Sequence, residues 1–138
     1  MNTKQIGNIA EIAFLYECIK RNNIVSIPYG DNARYDFIVE HNNKLIKVQV
    51  KHMKSHKDFF IFSCKSQNWN KGTIKNYKND VDYIFSYSKD ENIWVLVPIK
   101  ETNSSSMTIR KTLTKNNQTK KTNYIKYYQN WFDYYDAD

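Results

Sequence analysis

Residues 35–51 read Tyr-Asp-Phe-Ile-Val-Glu-His-Asn-Asn-Lys-Leu-Ile-Lys-Val-Gln-Val-Lys (YDFIVEHNNKLIKVQVK), and their alternation decides the fold. Tyr35 to Glu40 and Leu45 to Lys51 are β-rich runs. Between them, Asn42-Asn43 can take the positive φ values that a two-residue hairpin turn requires. Such a turn sets Asp36 opposite Gln49, Tyr35 opposite Val50, Phe37 opposite Val48 and Val39 opposite Ile46. Side chains alternate along a strand, so Phe37, Val39, Ile46, Val48 and Val50 form one apolar face. Asp36, Lys47, Gln49 and Lys51 share the other.

Upstream, residues 4–22 have the period of a helix. Phe14, Cys18, Leu15, Ile19, Ile12 and Tyr16 share a broad arc, with Glu17, Lys20 and Arg21 on the other side. Asn22-Asn23 can end this helix, and Ile24 to Pro28 reads as a short strand closed by Tyr29-Gly30-Asp31-Asn32. Glu11 falls in the middle of the apolar arc, where a carboxylate is costly unless paired or metal-bound. The arc must pack on the sheet, which can bring Glu11 to the strand ends that carry Asp36 and Gln49.

Downstream, strands are expected at Phe59 to Cys64, Tyr83 to Tyr87, Ile93 to Ile99 and Thr108 to Leu113. Residues 65–80 read as a loop or irregular helix, and Thr114 to Thr122 as a polar, basic loop. Tyr124 to Tyr135 reads as an aromatic closing helix. With no internal repeat or boundary, residues 1–138 form a single domain. The order helix, strands, helix implies an α/β (α+β) fold with a mixed β-sheet flanked by helices.

At 138 residues the chain can bury one core but not two domains' worth. Hydrophobic residues at 41% mark a globular chain rather than a disordered one. No apolar run approaches the roughly 18 residues of a membrane span. The N-terminus has no signal-peptide pattern, so an intracellular, cytoplasmic protein is expected, of bacterial, phage or organellar origin. Its two cysteines, Cys18 and Cys64, suggest neither a disulfide framework nor a zinc site. His52 and His56 lack an HExxH-type partner and read as surface or phosphate-contact groups.

The net charge of +7 points to a polyanion partner. Most of it lies between residues 100 and 126, where seven basic residues face one acid, Glu101. Arg110, Lys111, Lys115, Lys120 and Lys121 in this segment read either as a phosphate-binding arm or as a solvated loop. Arg34, Lys54 and Lys57 lie beside the hairpin and are further candidates for phosphate contact.

Facing residues on paired strands have Cβ atoms about 5 Å apart, so one hard cation can touch both the Asp36 carboxylate and the Gln49 amide oxygen. Oxygen donors suit Mg²⁺, with Mn²⁺ as a substitute. Lys51 reaches the same spot with a cationic head. The set fits phosphodiester hydrolysis, with the metal polarising a phosphate and activating water and Lys51 aiding that water or the transition state.

At these residues the chain resembles a known family. GNIAEIAFLYECIKRNNIVSIPYGDNARYD followed by FIVEHNNKLIKVQVK is similar to the PD-(D/E)xK nuclease superfamily. More closely, it is similar to the branch that includes group I intron-encoded homing endonucleases and has QxK for (D/E)xK. FFIFSC, DVDYIFSYS and IWVLVPI also resemble that branch. The resemblance covers about residues 5–100. It implies a restriction-endonuclease-like core and metal-dependent cleavage of double-stranded DNA. Asp36 matches the family's Asp, Gln49 its usual second acid, Lys51 its lysine and Glu11 its helix glutamate. The main-chain carbonyl that often binds metal in the family falls here on Val50. Tyr35 stands where the motif's name has Pro, and Gln49 removes one negative charge from the metal site.

The expected function is thus a sequence-selective homing endonuclease. A Holliday junction resolvase-like or restriction-type nuclease, and an inactive DNA-binding module, are the alternatives. Cutting both strands needs two sites, so a homo-oligomer, dimer or tetramer, is expected.

Overall fold

The computed structural model describes residues 1–68, 73–76, 80–103, 105–113 and 123–132. Helix α1 spans Thr3–Lys20. Its start is fixed by a reciprocal cap: the Asn2 side chain accepts from the Gln5 amide at 2.9 Å, and the Gln5 side chain accepts from the Asn2 amide at 3.0 Å. It ends where Asn22 takes a φ of 58° and the Asn23 amide turns back to the Cys18 carbonyl.

Strand β1 (Ile24–Ser26) pairs antiparallel with β2 (Phe37–His41), and β2 with β3 (Lys44–His52). The hairpin register is the one expected: Phe37 faces Val48, Val39 faces Ile46 and His41 faces Lys44. Asn42 and Asn43 have φ of 50° and 63°, the left-handed pair of a two-residue turn. The other edge of β3 pairs in parallel with β8 (Tyr83–Ser88), which pairs antiparallel with β9 (Ile93–Pro98). The result is a mixed five-stranded sheet in the order β1-β2-β3-β8-β9.

A parallel pair needs a crossover. Here the connection itself carries strands: β4 (Lys54–Ser55), β5 (Phe59–Ser63), β6 (Lys65–Asn68) and β7 (Thr73–Asn76). β4 and β5 join β10 (Ser106–Arg110) in a second, three-stranded sheet, and β6 and β7 form a separate hairpin. The described parts of residues 65–80 are therefore largely extended rather than loop or irregular helix. Polar strands are hard to read from sequence because they have no apolar face to show their period.

Each face of the main sheet has its own core. On one, α1 lays Ala10, Phe14 and Cys18 against Phe37, Val39, Val48, Val50 and Phe85. Phe14 lies 5.4 Å from Phe37 and 4.9 Å from Phe85 between ring centroids. On the other, Ile84, Val95 and Val97 meet Met53, Phe60, Phe62, Met107 and Ile109 of the second sheet's side. The α1 arc is narrower than its sequence suggests. Ile12, Tyr16 and Ile19 point outward, whereas Glu17 is buried, with Lys20 at 3.0 Å and Arg21 at 2.8 Å from its carboxylate.

The expected closing helix over 124–135 does not form within the described residues. Only a short 3-10 turn, Ile125–Tyr128, is present, and residues 133–135 lie outside the described range. The reason is a division of labour between the cores. Ile125 and Tyr128 enter the core between the sheets, while Trp131 and Phe132 enter the core under α1. One helix face cannot serve both sides of a sheet. Phe132 adopts a φ of 56°, unfavourable for a bulky residue, and its ring is buried. The Trp131 indole donates to the Asn23 side chain at 2.8 Å, and the Arg21 guanidinium lies 4.4 Å from its ring centre.

Phe14 touches both the sheet and Trp131, at 5.8 Å between centroids. Phe14→Ala is therefore expected to cost about 3–5 kcal/mol, measured by urea or thermal unfolding.

Candidate active site

β3 has nine residues, but β2 pairs with it only from Lys44 to Val48, with one more bond from the Asp36 amide to the Val48 carbonyl at 2.9 Å. Beyond that point Gln49 to His52 keep only β8 as a strand partner among the described residues. The chain leaves a notch at the edge of the sheet where β2 has ended. Asp36 fills its mouth: its Oδ2 accepts the Val50 amide at 2.8 Å. A strand residue directs its N–H and C=O to the same edge, so the Val50 carbonyl also faces this notch. The Lys47 amide and carbonyl, three residues back, point the other way and are both taken by Asp82, at 2.9 and 2.8 Å. That clamp holds the start of β8 against β3.

Glu11 arrives from α1, half-buried. Its carboxyl is held above the ordinary value by burial and then by the charge of Asp36, so the two acids share one field. Asp36 is likewise raised by burial, with the Val50 amide and the Lys51 ammonium pulling it partly back. Gln49 is opposite Asp36 by register and half-buried. Lys51 lies two residues on, and its Nζ donates to the Lys65 carbonyl at 3.0 Å. Glu11, Asp36, Val50 and Lys51 thus meet at one strand end, with Gln49 beside them in the strand. The Lys65 carbonyl was not foreseen, because a main-chain acceptor leaves no trace in residue type.

Apart from Lys51 the groups offer oxygen, and two of them are acids whose charged forms burial disfavours, Glu11 further through the charge of Asp36. A hard divalent cation would relieve both. Among the described residues no three His, Cys, Asp or Glu side chains cluster as a metal site.

The candidate phosphate contacts do not share one environment. Lys54 and Lys57 are exposed. Arg34 is paired with Asp80 at 3.5 Å. Arg110 is half-buried in β10. Lys111 is drawn into contacts with the protein body. Its ammonium is taken by the Ser55 hydroxyl at 2.9 Å, the His56 carbonyl at 2.5 Å and Glu91 at 2.7 Å. It braces the second sheet against the β8–β9 turn, with Ser55 also bonded to Glu91. Lys115, Lys120 and Lys121 lie outside the described residues. His52 is half-buried at the end of β3, and His56 stacks on Phe59. Burial pushes the Cys18 and Cys64 thiols up to about 12 and about 11, so neither is a reactive thiolate.

The sheet edge thus carries Asp36 beside the Gln49-Val50-Lys51 strand end, with Glu11 reaching it from the helix. The chain belongs to the PD-(D/E)XK endonuclease family, whose sequence profile matches residues 1–131. Among solved structures it is similar to a bacterial homing endonuclease, I-Ssp6803I, with a TM-score of 0.65 and 23% identity over 83% of this chain and 79% of that one. No curated protein matches it in sequence.

The raised Asp36 has a consequence for stability. Its contribution to folding is complete below the ordinary value of 3.8 and is lost as pH rises through the elevated folded value. At neutral pH the buried charge therefore weighs against the fold. Asp36→Asn keeps an acceptor for the Val50 amide and removes the charge. Without metal, this variant is expected to melt at a higher temperature than the parent at about pH 7, with the gap closing near about pH 3. Thermal melts across that range check it.

Proposed function

We propose that the protein is a Mg²⁺-dependent endonuclease of double-stranded DNA. The observation that carries this reading is the pairing of Asp36 with the Val50 main chain in a notch that Glu11 and Lys51 also reach. Asp36, Glu11, the Gln49 amide oxygen and the Val50 carbonyl would hold the cation. When bound, Mg²⁺ supplies positive charge to the phosphate and acidifies a water. Lys51 holds its ammonium beside Asp36, where it can orient that water or stabilise charge on the phosphoryl oxygens. The Val50 amide fixes the Asp36 carboxylate, so its second oxygen is presented to the cation without rotamer freedom.

The exposed Lys54 and Lys57 are the phosphate contacts that the surface supports best, with Arg34 and Arg110 nearer the protein body. Sequence-selective homing is the role we favour, because the similar fold I-Ssp6803I is a homing endonuclease. Junction-resolving and restriction-type cleavage use the same kind of core. A second reading, a DNA-binding module without cleavage, draws on Gln49, which leaves the site one negative charge short. Two strands require two sites, so we propose a homo-oligomer.

A randomised duplex pool with Mg²⁺ separates these. Cleavage is expected at a long, tolerant site. Asp36→Asn and Lys51→Ala are each expected to lower kcat by about 10²-fold or more while leaving salt-sensitive binding in place. Gln49→Glu is expected to move the Mg²⁺ midpoint to lower concentration, since it adds a charged ligand. Binding of DNA with no metal-dependent cleavage by the parent chain supports the module instead.

A further inference from the structure

The loop between β1 and β2, residues 27–36, runs straight into Asp36. Both of its legs are rooted. Ser26, just before it, pairs with Ile38, so the two ends lie side by side where β2 begins. On the return leg Arg34 is paired with Asp80 at 3.5 Å, Tyr35 packs against the core between the sheets, and Asp36 accepts from the Val50 amide. Between the legs, Ile27, Tyr29 and residues 30–33 are all exposed.

The tip of this loop is aromatic. Tyr29 is 107% exposed, the most of any large hydrophobic side chain among the described residues, and Ile27 is 70% exposed. Apolar groups scattered singly over a surface are ordinary. These two flank Pro28, whose ring limits φ, and are followed by Gly30 at a φ of 97°. Proline and glycine thus narrow the backbone choices of the tip, which stands clear of the body beside the notch.

Charge decides what such a tip meets. Residues 27–33 contain no cation, and their one charge is Asp31. Phosphate is therefore not what the tip attracts, although the chain as a whole carries +7. Bases offer it ring faces instead, and apolar side chains pushed between base pairs bind duplexes in this way.

We infer that Tyr29 is a wedge that enters a groove of the duplex and stacks on a base near the cut, with Ile27 against the same opening. The inference rests on the double-stranded DNA substrate proposed above. The strand pairing keeps the Tyr29 Cα within roughly 23 Å of Asp36, so the opened step falls within about one turn of duplex from the cut phosphate. Pyrimidine–purine steps, which unstack most easily, are the ones that suit it.

The test needs no cleavage. Closed circular plasmid is relaxed by a metal-independent topoisomerase in EDTA with the chain present, and its linking number is read after the protein is removed. The parent and Tyr29→Phe are expected to leave the plasmid underwound, and Tyr29→Ala to leave it unchanged. On a short mixed-sequence duplex, fluorescence anisotropy is expected to show Tyr29→Ala binding about five-fold to a hundred-fold more weakly. Its slope of log affinity against log salt is expected to match the parent's, whereas the control Lys54→Ala lowers that slope by about one. Ile27→Ser, expected to act in the same direction, supplies a second variant should Tyr29→Ala fail to fold. Parent-like affinity and linking number for Tyr29→Ala, or a lowered salt slope, overturns the inference. So does a change in the sedimentation of the DNA-free chain on Tyr29→Ala, which would make the tip a protein contact. A parent with no DNA affinity removes the nuclease reading and the wedge with it; underwinding without any Mg²⁺-dependent cleavage removes the nuclease reading and leaves the wedge standing.

Discussion

The hydrogen bond from the Val50 amide to the Asp36 carboxylate joins fold to chemistry in this molecule. It exists because β2 stops before β3 does, so one strand amide has no backbone partner on that edge. A buried N–H without an acceptor costs free energy comparable to a lost hydrogen bond. The carboxylate that satisfies it is itself desolvated. The sheet thereby holds an acid where water cannot fully solvate it, with one oxygen fixed by the amide. The chain tolerates an electrostatic cost at rest so that the carboxylate is already in place.

The parallel pairing of β3 with β8 is the other half of that arrangement. It leaves the β2 edge of Gln49, Val50 and Lys51 uncovered while anchoring the opposite edge. The Asp82 clamp on Lys47 sets the register. Because cores lie on both faces, the strand that bears the site has little freedom to shift.

Much of this was legible in residues 35–51, because a two-residue Asn-Asn turn fixes register and alternation then assigns faces. The placement of Glu11 was legible for a related reason: an acid in an apolar arc needs a partner. Three features were not. The hairpin of β6 and β7 is polar, and period-2 signals need apolar contrast. The tail residues Ile125 to Phe132 read as a helix because their aromatics were counted as one face, whereas they serve two cores on opposite sides of the sheet. Lys111 read as part of a phosphate-binding arm or a solvated loop because charge is visible in sequence, whereas the partners it has in the fold, Ser55, His56 and Glu91, come from segments far away along the chain.

The lodging of Trp131 and Phe132 beneath α1 bears on how the molecule is made. The helix leaves the ribosome ahead of the two rings that complete its hydrophobic bed, which are synthesised more than a hundred residues later. Native closure of that bed must wait until translation has passed position 132. During elongation the nascent helix holds Phe14 and Cys18 with an unfinished cover, open to non-native contacts until those rings arrive.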